Sequence, residues 1–525
     1  MFFIIFLNQI RQSAHAQYTN VSCLTSSIIR TMISTIDFIR KDFGSTLYPL
    51  KTNLILAEVN GEEISNYISE KILSDLHEGD NFLSQHKVYA TKPRGHLRRT
   101  VKLDPVAEYF IYDLIYRNRS IFRPQVSDTR RCFGYRFQDG SQIPVHNAYA
   151  EYKSHLSECS SKFKHNIQFD IASYFNSLYH HDLSHWFASK DGVSGVDSNA
   201  FGKFFRETNS GRSVDFLPHG IYPCKMIGNE FLKFVDLSGL LKSSEVVRFM
   251  DDFTLFDNDP SVLKQDFILI QQLLGKFALN VNPSKTYYDN KVGDISLTLT
   301  KIKKSLQSII IDYEEFPTAS GMEVVETEVA IEKSLSQDQV DGLMALLKED
   351  DLEESDADLI LSFLRSHSDS LLELLPTLLE KFPNIIKHIY SICAEITDKV
   401  SLSKLINEFL NSETKLLEYQ LFWIGVILED HLAGVEFYGD SLIKIYELTS
   451  EFKIARSKIL EIPEQGFGFK EIRDDLLKTG QSDWLSWSAA MGSRSLPSGE
   501  RNYVLNYFSK GSPMNYLISS GVQKI

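Results

Sequence analysis

The sequence predicts an α+β domain followed by an all-α domain, and three observations carry that reading. Arg248-Phe249-Met250-Asp251-Asp252-Phe253-Thr254-Leu255-Phe256 reads as two apolar strands joined at adjacent aspartates. Val246 and Val247 extend the first strand, and Asp257-Asn258-Asp259-Pro260 ends the second. Ile167-Gln168-Phe169-Asp170-Ile171 is another short strand, ending in a carboxylate. After about residue 330 strand signals largely vanish and amphipathic segments recur, among them Val340–Leu347, Leu371–Phe382, Ile385–Ile396, Leu402–Leu410 and Tyr419–Leu428. The expected division is an N-terminal helical extension over 1–84, a mixed domain over 85–310 and an α-helical repeat domain over 311–525.

Composition sets the outer limits. The chain has 525 residues, 43% hydrophobic and 24% charged, which is globular rather than disordered. Its net charge of −14 argues against coating nucleic acid through an overall field. The five cysteines are far apart and form no CxxC pair, so spacing supports neither a disulfide framework nor a structural zinc site, and a reducing cytoplasm fits. Phe2–Leu7 followed by Ala14-His15-Ala16 has the outline of a signal peptide. No Lys or Arg precedes that run, however, and Asn8, Gln9 and Arg11 interrupt it, so an amphipathic first helix is expected. No other stretch has the apolar length of a membrane span.

Taken in order, residues 20–90 read as helical, with Ile36, Ile39 and Phe43 on one face and Ile64, Tyr67, Ile68, Ile72 and Leu76 on another. Tyr48-Pro49 is a break, because the residue before proline avoids helix. Residues 91–136 hold eleven basic side chains against four acidic ones, a concentration suited to a triphosphate or a phosphodiester backbone. Within them Asp104-Pro105 caps a helix over 106–117, and Arg131–Arg136 is a strand or turn. Further helices are expected over 148–157, from near Asp182, over 226–235 and over 265–277, with a strand at Ile295–Leu299. The acidic run from Glu349 to Asp358 reads as a solvated loop. Trp484 and Trp487 suit either a capping contact or an interface anchor.

Two carboxylates on rigid strand ends, with cations before and after them, are what phosphoryl transfer needs. The acids hold Mg²⁺ and the cations hold phosphate. The order along the chain resembles the fingers and palm of reverse transcriptases. Phe169-Asp170-Ile171 with Phe175 is similar to motif A, and Leu217-Pro218-His219-Gly220 running into Asn229-Glu230-Phe231-Leu232 to motif B. Arg248–Phe253 is similar to motif C, with Phe-Met where many members have Tyr and a small apolar residue. Leu279-Asn280 with Lys285-Thr286 is similar to motif D. Lys92-Pro93-Arg94-Gly95, Arg98-Arg99 and Asp104-Pro105 resemble the fingers block, and Phe133-Gly134-Tyr135-Arg136 the next one.

The resemblance implies roles residue by residue. Asp170 and Asp251 would be metal ligands for Mg²⁺ or Mn²⁺, with Asp252 beside them and the Ile171 carbonyl completing the site. Lys92, Arg94, Arg98 and Arg99 would grip a dNTP triphosphate, Lys285 would approach it from the opposite side, and Phe175 would crowd a 2′-OH. The long helical half, without a maturase-like thumb or an HNH signature, resembles the bacterial abortive-infection (Abi) reverse transcriptases, including those on P2-type prophages. That likeness implies antiphage defence and template-independent DNA synthesis primed by a protein tyrosine. It also implies single-stranded DNA left covalently attached, HEAT-like helical packing and a homo-oligomer, trimer or hexamer. Among 23 tyrosines, Tyr48 in the break before Pro49 and Tyr18 near the N-terminus are the priming candidates. Two alternatives stand beside this reading: a conventional RNA-templated reverse transcriptase and a catalytically inactive palm used as a scaffold.

Overall fold

A computed structural model describes residues 35–525 except 75–78, 93–94, 124–126, 139, 213–215, 290–309, 319–320, 330–334, 350–351, 353 and 413–414. The chain opens with helices α1 (residues 35–43) and α2 (Lys51–Tyr67), then hairpin β1 (His86–Thr91) and β2 (Leu97–Lys102), and helix α3 (Pro105–Arg117). Strands β3 (Arg130–Phe133), β4 (Phe137–Gln138) and β5 (Ser141–Gln142) lead into α4 (Val145–Lys162) and β6 (His165–Phe169). Helices α5 (His180–Ala188), α6 (Gly195–Thr208), α7 (Tyr222–Phe231) and α8 (Lys233–Asp236) precede β7 (Glu245–Phe249) and β8 (Asp252–Asp257). Helix α9 (Pro260–Gly275), β9 (Tyr287–Tyr288), and the hairpin β10 (Ile310–Thr318) and β11 (Gly321–Val329) follow, and helices make up the rest.

The core element is a mixed sheet in the order β3-β7-β8-β6-β9, parallel between β3 and β7 and antiparallel elsewhere. Both faces of β7 are covered, so its residues are buried on alternate sides of the sheet. Val247 packs with Tyr152, Leu156, Cys159 and Phe256 against α4, while Val246 joins the main core on the other face. On that main face Phe169 of β6 and Phe253 of β8 are direct cross-strand partners whose rings stack 5.3 Å apart.

Local chemistry sets most boundaries, and several differ from expectation. Asp104 caps α3 by accepting from the Val106 and Ala107 amides, with Pro105 in the first turn. Helix α9 begins at Pro260 rather than 265, because Asp259 caps it through the Ser261 amide and the turn-like Asp-Pro is a helix start. Helix α4 runs beyond 148–157 at both ends, and the expected helix over 226–235 starts at Tyr222 and breaks at Leu232. The segment 311–525 is not all-α, since it opens with β10–β11. The strand expected at Ile295–Leu299 and the first helix lie outside the described residues. Trp484 and Trp487 pack edge-on inside the helical half, and the Trp487 indole donates to Asn515 Oδ1 at 3.2 Å. No helix among the described residues is long and apolar enough to cross a membrane.

Helix α2 is wedged between α3 and the last helix, Pro513–Gln523. Asn60 of α2 donates to the Leu517 carbonyl at 2.9 Å. The first amides of α2, on Lys51 and Thr52, donate to the carboxylate of Glu461 at 3.0 and 2.8 Å. That fully buried acid meets the positive end of the helix and pairs with Lys458 at 2.9 Å. Glu461→Ala is expected to destabilise the protein by about 2–4 kcal/mol, because two helix amides lose their buried partner and Lys458 keeps only Glu429. Urea unfolding followed by circular dichroism measures it, and a shift under 1 kcal/mol would show that the contact is dispensable.

Candidate active site

The site is built where β6 ends and β7 turns into β8. The register Phe169↔Phe253 and Phe249↔Asp252 brings Asp170, one residue past the end of β6, alongside the Asp251-Asp252 turn. Just beyond it, Ile171 bridges Val281: Ala172 N–H donates to the Asn280 carbonyl at 2.8 Å and Asn282 N–H to the Asp170 carbonyl at 2.9 Å. That bridge leaves the Ile171 carbonyl outside it. The same bridge delivers Lys285, whose ammonium reaches Asp170 Oδ2 at 2.9 Å.

The turn is held from behind. Met250 sits at φ +56°, a left-handed conformation costing about 1–2 kcal/mol for a residue with a Cβ. Arg248, with no exposed surface, donates to the Met250 carbonyl at 2.6 Å. The same guanidinium pairs with Asp236 at 2.6 Å and bonds the side chain and the carbonyl of Asn229, each at 3.1 Å. Burial works against its charge, yet Asp236 outweighs burial and holds the guanidinium above its ordinary pKa. One side chain thereby ties the turn to the ends of α7 and α8. In the sequence Arg248 stands as a flanking residue of a motif and Asp236 carries no signal of its own; a charged residue beside Val246, Val247 and Phe249 is the available sign of a buried brace.

Burial raises the carboxyl of Asp251, Arg98 and Lys285 pull it back, and Asp170 adds like-charge repulsion. Asp170 Oδ1 is buried and accepts no hydrogen bond. An orphaned carboxylate oxygen beside a second, desolvated carboxylate suits a hard divalent cation. Asp252, the first residue of β8, is exposed and within electrostatic reach of Lys285 and of Tyr152 on α4.

The hairpin β1–β2 supplies the other wall. Arg98 Nη1 lies 2.7 Å from His219 Nε2. His219 is held neutral, its pKa driven well below the ordinary value by burial and then by Arg98, Lys225 and Lys92. Its ring meets Phe175 edge-on at 4.6 Å, so a cation, an imidazole and the expected sugar-gating ring form one chain of contacts. Phe175 is half-buried against Gly228, where a Cβ would stand 3.4 Å from its ring and 3.2 Å from Tyr174. Gly220 has φ +99°, and a Cβ there would fall 2.5 Å from Leu47. Arg99 is exposed and lies over the Phe216 ring. Arg94 and Tyr18 lie outside the described residues.

Two expectations are corrected. The basic stretch is less free than its count suggests: acids from elsewhere pair two of its cations, Glu151 with Arg136 and Asp197 with Arg117, and Glu108 within the stretch pairs Lys102. Lys92 and Arg98 remain as the cations in the electrostatic field of the site. The break at Tyr48-Pro49 is not a loose element. Tyr48 is 3% exposed, donates to the Tyr89 carbonyl at 2.7 Å and packs edge-on against Phe422 and Tyr419. As placed, its hydroxyl cannot meet a phosphate.

No protein-family model and no curated protein sequence matches the chain. Among solved structures it is similar to a telomerase from Candida albicans in complex with a fragment of telomeric RNA, at 13% identity and TM-score 0.28, covering 75% of this chain and 70% of that one. It is likewise similar to an apo telomerase from Candida tropicalis, at 11% identity and TM-score 0.30, covering 77% and 72%. Overlaps this low fix no function, and the site's own geometry bears the weight.

Replacing Arg248 with Met is expected to cost about 3–5 kcal/mol, because Asp236 is left as a buried unpaired charge; adding Asp236→Leu should recover part of the loss. Urea unfolding of the single and double variants measures both. Equal stability of Arg248→Met and wild type would remove the brace.

Proposed function

We propose that the chain is a reverse-transcriptase-like nucleotidyltransferase that adds deoxynucleotides to a hydroxyl acceptor. The observation that carries the reading is the convergence of Asp170, Asp251, Lys285 and Arg98 at one end of a sheet, with one buried carboxylate oxygen unpartnered. In the reaction the acceptor oxygen bonds the α-phosphorus, the bond to the pyrophosphate oxygen breaks, and the hydroxyl proton leaves. Asp170, Asp251 and the Ile171 carbonyl would hold Mg²⁺ or Mn²⁺, which supplies charge neutralisation at the phosphate. Arg98 and Lys92 orient the triphosphate, and His219 positions Arg98 without adding charge. Phe175 packs beside the sugar and disfavours a 2′-OH.

The finer reading is a template-independent, protein-primed polymerase of the abortive-infection type, with its DNA product covalently attached and the chain working as a homo-oligomer. The motif order and the helical C-terminal half support it. Tyr48 is a poor primer as placed, whereas Tyr287 and Tyr288 are exposed in β9 immediately after Lys285. Purified protein given labelled dNTPs and Mg²⁺ without nucleic acid should become labelled and stay labelled on a denaturing gel, and mass spectrometry of the adduct names the residue. Asp251→Asn should reduce incorporation more than about 100-fold. Incorporation that requires an added RNA, with no label on protein, would favour the templated alternative; full activity of Asp251→Asn would sink the polymerase reading.

Phe175→Ala is expected to raise ribonucleotide incorporation relative to deoxyribonucleotide by about 10–100-fold, the range a pocket contact of this size supplies. Competition between labelled dATP and ATP reads the ratio, and an unchanged ratio would show that Phe175 is not the gate.

A further inference from the structure

A second cluster of ligating side chains lies on the opposite face of the sheet from Arg248. His155 and Cys159, four residues apart on α4, point the same way. Glu245, the first residue of β7, faces them, and one ligand atom from each of the three falls within 4.8 Å of the others. His155 Nε2 lies 3.6 Å from Cys159 Sγ and 3.9 Å from Glu245 Oε2. All three residues are buried, at 7%, 2% and 6% exposure.

We propose that His155, Cys159 and Glu245 form a structural site for a zinc-class divalent ion. Three properties carry the assignment. The first is geometry: tetrahedral zinc with bonds of about 2.0–2.3 Å sets ligand-to-ligand edges of about 3.3–3.6 Å, which the His155–Cys159 separation of 3.6 Å meets and the His155–Glu245 separation of 3.9 Å exceeds by about 0.6 Å. The second is an unsatisfied acceptor, since Glu245 Oε2 is buried and accepts no hydrogen bond. The third is orientation. Glu158 Oε2 lies 3.4 Å from His155 Nδ1, so a proton on Nδ1 leaves Nε2 as the lone-pair nitrogen facing Cys159 and Glu245.

The donor set fixes the class of ion. Thiolate, imidazole and carboxylate together suit zinc, and Mg²⁺ would not take sulfur. On binding, Cys159 gives its thiol proton to solvent. The resulting thiolate and carboxylate balance the two charges of the ion, so the buried site is neutral. A water completes four-coordination. The site stands apart from the carboxylate turn: Glu245 opens β7, whereas Asp251 lies in the turn beyond its other end, about 13 Å of strand plus the turn away. The ion would clamp α4 onto the start of the strand that ends in the catalytic turn. Cysteine spacing could not show this site, since it uses one cysteine, a histidine four residues before it and a glutamate 86 positions later.

The test uses the full chain, produced with zinc and dialysed against Mg²⁺ buffer. Elemental analysis by plasma mass spectrometry should find about one zinc per chain, lost in Cys159→Ser and in Glu245→Gln but retained in Cys132→Ser. Cobalt-loaded wild type should show a thiolate-to-cobalt charge-transfer band in the near ultraviolet, absent from Cys159→Ser. A zinc-selective chelator, with Mg²⁺ present, should lower the wild-type melting temperature by several degrees. If variants fail to fold, the cobalt spectrum and the chelator shift of wild type decide alone. No retained zinc together with no charge-transfer band, or zinc retained equally by folded Cys159→Ser, would overturn the proposal.

Discussion

The buried guanidinium of Arg248 is the interaction on which the candidate site depends. A strained residue, Met250, must precede the first aspartate of the turn for the chain to reverse there. Strain of that kind persists only when the surroundings over-determine it. Here the surroundings are one side chain that bonds the Met250 carbonyl while anchored to Asp236 and Asn229. The stacked Phe169 and Phe253 rings do the same for the neighbouring strand pair, and Arg248 lies over the Phe253 ring at 5.5 Å. Position of the two carboxylates is therefore a packing property of the core behind them, with little left to the exposed turn itself.

Electrostatics then decide what the positioned acids can do. Asp170 and Asp251 are held close in a partly desolvated corner, which disfavours two negative charges at once. Lys285 relieves this from one side and Arg98 from the other. Lys285 is on an exposed side chain, so its hold on Asp170 is weak and exchangeable, as a group that must yield to an incoming ligand should be. Arg98 is fixed by His219, which burial keeps neutral. A protonated histidine there would repel the guanidinium it has to hold.

Much of this was legible in the sequence, and the reasons it was differ from the reasons it failed. Strands ending in Asp170 and at Asp251 were readable because apolar runs and turn residues are local signals, and the cap at Asp104-Pro105 is local too. Arg248, Asp236 and His219 were not readable as a brace and a positioning pair, because their partners lie 12 to 121 residues away. The basic stretch over 91–136 reads as freer than it is for the same reason, since Glu151 and Asp197 lie outside it. Helix α9 begins earlier than expected because Asp-Pro signals a turn and a helix start equally well. Tyr48-Pro49 reads only as a break, because a proline rule reports backbone direction and says nothing about what covers the loop.

What covers that loop explains why the helical half belongs to the site. Lys387 donates to the Ser45 and Thr46 carbonyls, each at 3.0 Å, and the Trp423 indole to the Leu47 carbonyl at 3.2 Å. Leu47 in turn packs where a Cβ on Gly220 would stand, one residue beyond His219. Asp42, just before the loop, accepts from the Tyr222 amide at 2.8 Å and caps the start of α7. The C-terminal helices thus press a short N-terminal loop onto the segment that carries His219, and through it onto Arg98 and Phe175. Burial drives the Lys387 ammonium well below its ordinary pKa, so this contact is made at a real desolvation cost. A buried lysine spent on two loop carbonyls is understandable if the loop's position matters to the site next to it, and it makes the helical half a scaffold for the wall that carries His219, Arg98 and Phe175.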